Sequence, residues 1–190
     1  MFPTLTKPWK DIESYRQARL REALVEARLA LEFLEDGLVR NAAGKAFQAW
    51  KAYLGALAAE HRDELKPIYP GSRKLRAGEE EVEVEDVDVV IALVPTSAMF
   101  KIASELAKFA GVEVVKNTAI ALQLHRYQYN GPDPEGLLTD IPDDKTAAYL
   151  ICALLQQFSE HIGELYDNVC GTLKRQTVAT PSTAPSAKSL

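Results

Sequence analysis

The sequence predicts an all-α protein, a helical bundle of about five main helices built on a long antiparallel helical hairpin. Three observations lead there. Apolar residues recur at steps of three and four along five separate segments, the period of one helix face. The first two segments are long and are separated only by a short break at Gly37, which reads as two antiparallel neighbours. No stretch offers a strand with a good pairing partner, and a lone strand leaves its backbone groups unpaired.

The first helix is expected from near Trp9, after Pro8, with Leu20, Leu24, Ala27, Leu31, Leu34 and Leu38 as its stripe. Asn41 is a candidate N-cap for the second helix, at about 41–62. Its stripe is Ala43, Phe47, Trp50, Leu54 and Leu57, and Ala42, Ala43, Gly44, Ala46 and Ala49 thin one end so that backbones can approach. Residues 63–78 read as a connector punctuated by Pro67, Pro70, Gly71 and Gly78. The acidic run EEEVEVEDVD at 79–88 follows, with seven acids in ten positions beside Lys66, Arg73, Lys74 and Arg76. It reads as a solvated charged loop, or alternatively as a docking surface for a basic partner. Val82 to Val94 is ambiguous between strand and helix, and a short helix from about Val84 to Leu93 is the preferred reading.

Pro95-Thr96-Ser97 offers a hydroxyl cap for a third helix carrying Met99, Ile102, Leu106 and Phe109, which Gly111 stops. The fourth helix runs from about Val112 to Tyr129, with Val115, Ala119, Leu122 and His125 in line, and Asn130-Gly131 ends it. Pro142-Asp143-Asp144 starts the fifth. Its seam is Ala147, Ile151, Leu154, Phe158, Ile162, Leu165 and Val169. One domain over 1–175 is expected. From Gln176 the composition turns to QTVATPSTAPSAKSL, a Ser/Thr/Pro/Ala-rich tail at 176–190 expected to be disordered.

The chain has 190 residues, 47% hydrophobic and 26% charged, with a formal net charge of -5. That balance argues against whole-protein attraction to nucleic acid or to an anionic membrane, while a local basic patch stays open. The N-terminus MFPTLTKPWKDIESY has no apolar signal core, and VVIALV at 89–94 is too short to span a bilayer. A soluble, cytoplasmic protein is expected. Cys152 and Cys170 fall 18 positions apart in one predicted helix. That is about 27 Å of helix, too far to bond unless the helix breaks. They are read as inert thiols.

Chemistry concentrates in LHRYQYNGPDPEG at 124–136. His125 can trade protons near neutral pH, Arg126 can hold a phosphate through two parallel hydrogen bonds, and Tyr127 and Tyr129 can stack on a base. Asp133, Glu135 and Asp140 follow and are placed to orient the histidine. The plainer reading is a helix end with a polar rim, in which His125 and Tyr129, four apart, hydrogen-bond each other. His61 sits beside Arg62 near the end of the second helix, and His161 near Glu160 and Glu164. No HExxH pair, phosphate-binding glycine loop or nucleophile elbow is present, so no metal and no cofactor are expected. Arg40, Asn41, Lys45, Gln48 and Lys51 accompany the small-residue run, with Lys45 and Gln48 three apart on one face. They read as a polar groove beside the mouth of the fourth helix, or as an exposed polar face at a tight helix contact.

Three segments, GLVRNAAGKAFQAWKAYLGALA at 37–58, VPTSAMFKIASELAK at 94–108 and HRYQYNGPDPEG at 125–136, resemble the archaeal PaREP family (type one), over roughly residues 9–170. The resemblance implies an archaeal, thermophilic source and a helical bundle, and no particular activity. That family is in turn similar to HEPN-like helical proteins. This implies a homodimer and a partnership with small nucleotidyltransferases in toxin–antitoxin-like pairs. Some HEPN proteins are metal-independent ribonucleases marked by an arginine with a histidine four to six residues after it. No arginine here has one; His125 precedes Arg126 instead.

The leading expectation is a non-enzymatic, HEPN-like binding or interaction module, forming a homodimer and meeting a protein partner. Its binding candidates are Arg40, Lys45, Gln48, Tyr127, Tyr129 and Asn130. One alternative is a metal-independent ribonuclease or phosphodiesterase using His125 and Arg126. The other is a nucleotide-binding regulator using the same mouth without chemistry, with RNA or nucleotide as ligand.

Overall fold

The computed structural model describes residues 6–77 and 80–178. The architecture is mainly helical, in the order α1 (Ile12–Glu35), α2 (Val39–Glu60), the single turn α3 (Arg62–Leu65), β1 (Ser72–Ala77), β2 (Glu80–Glu85), α4 (Asp86–Leu93), α5 (Met99–Ala110), α6 (Glu113–Asn130), α7 (Asp144–Leu155) and α8 (Ser159–Val178). Short 3-10 turns at Thr96–Ala98 and Gln156–Phe158 precede α5 and α8.

The α1–α2 hairpin is the scaffold. Asp11, in extended conformation, caps α1 by accepting from the Ser14 N–H at 2.9 Å, so the helix starts three residues later than Trp9. The seam of α1 is Tyr15, Arg19, Ala23, Ala27, Ala30, Leu31 and Leu34. Leu20 and Leu24 lie on its flank and Leu38 lies outside the helix, exposed. Alanines at the contact let α2 come close. In α2 every residue of the expected stripe is buried, and so are Ala46, Ala49, Ala52, Gly55 and Ala56 between them. The helix begins at Val39 with Leu38 as N-cap and no side-chain cap bond, so Asn41 is not its cap. Trp50 is fully buried and donates its indole N–H to Thr118 Oγ1 on α6 at 2.9 Å, while Thr118 donates to the Val114 carbonyl at 2.7 Å. The buried face of α6 is Val114, Asn117, Thr118, Ala121, Leu124 and Tyr127. The expected line of Val115, Ala119, Leu122 and His125 is rotated to the edge of the contact. α5 begins without a side-chain cap bond, unlike the hydroxyl cap expected from Thr96 and Ser97.

The region read as a charged connector folds into an antiparallel hairpin. Ser72 pairs with Glu85, Lys74 with Glu83 and Arg76 with Glu81 on one face, and Arg73 with Val84 and Leu75 with Val82 on the other. The basic run and the acidic run were each other's missing partner: opposite charges face across the ladder, and Val84 is buried beneath it. Arg62 anchors this corner. It bonds Asp88 through Nε (2.7 Å) and Nη2 (2.9 Å), and Glu85 at 2.7 Å. These carboxylates hold its guanidinium well above the usual arginine range, and the pairing makes burial of Asp88 tolerable.

The expected fifth helix is two helices. Asp143 caps α7 by accepting from the Thr146 N–H at 2.6 Å. The chain then turns through Gln156–Phe158 and kinks again at Gly163, where φ is 18° and ψ -100°. This fold-back brings Cys152 and Cys170 together as a disulfide with a Cα–Cα distance of 5.6 Å. The expectation of inert, separated thiols fails because the helix is broken, the one condition under which they can meet. α8 continues to Val178, past the expected boundary at 175; the tail from 179 lies outside the described residues. Among the described residues no single helix is long and apolar enough to cross a membrane.

Removing the central indole tests this packing. Trp50→Ala is expected to lower unfolding free energy by about 3–5 kcal/mol, read by urea denaturation. Trp50→Phe, which leaves the Thr118 hydroxyl without its donor, is expected to cost about 1–3 kcal/mol.

Candidate functional site

The last turn of α6 is fastened to the first turns of α2. Gly131, at φ 74°, ends α6 by leaving the helix in a conformation that favours glycine. Arg40 then reaches across from α2. It donates from Nε to the Gln128 carbonyl at 3.1 Å and from Nη2 to the Tyr129 carbonyl at 2.6 Å, a cation on the carbonyl end of a helix. One turn along α2, Gly44 provides the space for the Gln128 side chain: a Cβ there would sit 2.4 Å from Gln128 Oε1.

These contacts frame a cavity of about 450 Å³ on the face of α2, lined by Phe33, Arg40, Asn41, Gly44, Lys45, Gln48, Gln128 and Tyr129. That size falls within the range of small-molecule sites. Lys45 spans to α1 and pairs with Glu26 at 2.9 Å. Tyr129 is 69% exposed at the rim. Among the described residues Arg40 is bonded to neutral carbonyls, so its charge stays available to an anion.

His125 supports this wall without lining it. Its ring stacks on Phe47 (centroids 4.2 Å apart) and meets the edge of Tyr129 at 5.4 Å. The last contact replaces the hydrogen bond expected between them. Burial lowers the affinity of the imidazole for a proton below its ordinary value, and the nearby Lys51 ammonium lowers it further. A neutral His125 accepts at Nδ1 from Gln128 Nε2, 2.7 Å away. That bond turns Gln128 Oε1 toward Gly44.

The other residues of LHRYQYNGPDPEG serve the loop after α6. Arg126 is exposed and points toward Asp140, 3.6 Å away, on the face of α6 next to that of His125. Tyr127 is fully buried and donates to Asp144; burial, with that carboxylate, pushes its phenol up. Tyr127 is therefore core, not a ligand-facing residue. The Asn130 amide donates to the carbonyls of Arg126 (3.0 Å) and Leu138 (3.4 Å), tying helix to loop. Asp133 accepts from the N–H groups of Gly136, Leu138 and Thr139, and these bonds hold its carboxyl below the usual range. It organises the loop and does not orient the histidine. His61 stacks on Phe109 at 4.9 Å and lies 3.7 Å from Glu64; the His161 carbonyl accepts weakly from Arg28 at 3.4 Å. Among the described residues no three His, Cys, Asp or Glu side chains gather as a metal site.

Of the binding candidates, Arg40, Lys45, Gln48 and Tyr129 share the cavity, while Tyr127 and Asn130 stand outside it. Phe33 and Gln128 also line it and carry no sequence signal, since their roles depend on where α1 and α6 cross α2. The sequence profile of the archaeal PaREP1/PaREP8 family matches residues 18–152, a span that contains all of these groups. The chain belongs to this family. No curated protein and no solved structure matches it. In this PaREP chain the matched span ends at Cys152, so α8 lies beyond it.

His125 gives a direct test. Its pKa, read from ring-proton shifts by NMR titration, is expected below the ordinary 6.5, and Lys51→Gln is expected to raise it. Because the folded value is the lower one, the stabilisation from neutral His125 is full above about pH 6.5 and fades as pH falls below it. A value at or above 6.5 refutes the neutral imidazole.

Proposed function

We propose that this chain is a non-enzymatic, HEPN-like helical binding and interaction module, acting as a cytoplasmic homodimer and holding a small polar ligand on the face of α2. One observation carries the reading: Arg40, Lys45, Gln48 and Tyr129 converge on one cavity, while His125 and Arg126 diverge on adjacent faces of α6. A phosphodiester-cleaving pair needs both groups on one reacting phosphate. His125 instead spends its free lone pair on Gln128. A nucleotide-binding regulator is the form of this reading that the lining favours, since it combines a cation, amides and an aromatic rim. An added protein partner such as a nucleotidyltransferase fits the same class. The disulfide is compatible with a cytoplasmic setting in a hyperthermophilic archaeon, where intracellular proteins are disulfide-rich.

The test is a thermal-shift panel of nucleotides and inorganic phosphate, since a ligand that binds only the native state raises its stability, by about 2.7 kcal/mol at a hundredfold excess over Kd. Lys45→Ala and Gln48→Ala are each expected to weaken the ligand found roughly tenfold or more, as lost hydrogen bonds to a charged group. Incubation with end-labelled RNA is expected to leave it intact. Cleavage that disappears in both His125→Ala and Arg126→Ala refutes the non-enzymatic reading. A strict monomer by hydrodynamic mass refutes the homodimer.

A further inference from the structure

The seam Ala147, Ile151, Leu154, Phe158, Ile162, Leu165 and Val169 has the spacing of one continuous helix, and residues 144–178 contain no proline. The structure nevertheless folds this segment back on itself, through the turn at Gln156–Phe158 and the kink at Gly163. What opposes the local helical preference is tertiary: Ile162, Tyr166 and Cys170 bury against the bundle, Tyr166 donates to the Cys152 carbonyl at 3.1 Å, and the disulfide closes the fold-back. In a continuous helix the two cysteines would stand about 27 Å apart, against the observed Cα separation of 5.6 Å. The straight form and the bonded form exclude each other. Nothing lies within 4 Å of where a Cβ at Gly163 would sit, so packing does not forbid a helical residue at the kink.

We infer that the Cys152–Cys170 bond is a redox latch: reduction lets α7 and α8 join into one helix, and the seat that α8 leaves is filled by α8 of a second copy. The second copy is the fitting occupant because the surface is already complementary to that segment, face by face. The exchange is reciprocal, so it closes at two chains. The reductant is an external dithiol. Its thiolate attacks one sulfur of the pair, forming a mixed disulfide and releasing the other cysteine as a thiolate that takes a proton. The second thiol of the dithiol then displaces the remaining cysteine. The protein disulfide gains two electrons and two protons, and the dithiol becomes a disulfide. Cys152 is 4% exposed and Cys170 fully buried, so the first attack falls on the α7 side as α8 loosens.

In the exchanged dimer Cys152 of each chain faces Cys170 of its partner, so reoxidation bonds the chains to each other. The experiment reduces the full chain with dithiothreitol, verifies helicity by circular dichroism, reoxidises it without denaturant at rising protein concentration, and runs non-reducing denaturing gels. Covalent dimer is expected to grow with concentration, and more readily in Gly163→Ala. A second arm mixes Cys152→Ala with a size-tagged Cys170→Ala, where only a bond between copies can restore the pair; a covalent heterodimer joined through Cys152 and Cys170 is expected. Monomer bands alone from folded, reoxidised wild type overturn the latch, even if the single variants fail to fold. The ligand panel on the oxidised protein is independent of this result, so either reading can fail without the other.

Discussion

α2 has neighbours on nearly every side, and helices crowd in that way only when the shared surfaces are thin. Its alanines and glycines supply that thinness, as do the alanines facing it on α1. Large side chains then act as spacers at chosen points. Trp50 fills the gap to α6 and fixes its rotation through a hydrogen bond to Thr118. Phe47 reaches the same helix farther along and carries the His125 ring. The angular setting of α6, and hence the direction of Gln128 and Tyr129, follows from these two contacts on α2. The cavity is a by-product of the same crowding: at the N-terminal end of α2 the small residues continue, but the space above Gly44 is filled by a single amide rather than by a packed helix face.

That geometry turns a histidine and the arginine beside it onto different faces of α6. Neighbouring residues on a helix point about 100° apart. His125 takes the face toward α2 and Arg126 the face toward the loop that Asp133 organises. The histidine is partly removed from water and close to Lys51, both of which favour its neutral form. A neutral imidazole with one nitrogen bonded to an amide is a good support and a poor base for a substrate elsewhere. Arg40 is the more consequential cation, because its bonds to two helix-end carbonyls fix its position without neutralising its charge.

The mainly helical class, the α1–α2 hairpin, the start of α7 at Asp143 and the end of α6 at Gly131 were legible because they rest on local chemistry: periodicity, an aspartate cap and glycine conformation. What was misread depends on partners distant in the chain. The buried face of α6 includes Asn117 and Thr118, which no hydrophobic pattern marks, so its stripe was placed one residue off. The hairpin was hidden because Arg73, Lys74 and Arg76 look solvated until they meet Glu81, Glu83 and Asp86. In the groove, Arg40, Lys45 and Gln48 could be picked out as polar residues beside a small-residue run. Phe33 and Gln128 could not, since each enters from another helix.

The C-terminal third shows the same tension in its sharpest form. Local sequence favours one helix from α7 into α8, and the fold contains two. A segment whose local preference opposes its tertiary placement is held by whatever contacts survive at its far end, here a few buried side chains and one covalent bond. On the α8 side those contacts lie beyond the span matched to the family, on a helix that packs mainly against α1 and α7. The cavity on α2 takes none of its lining from α7 or α8, so a change at Cys152–Cys170 acts on the position of α8 before it acts on the cavity.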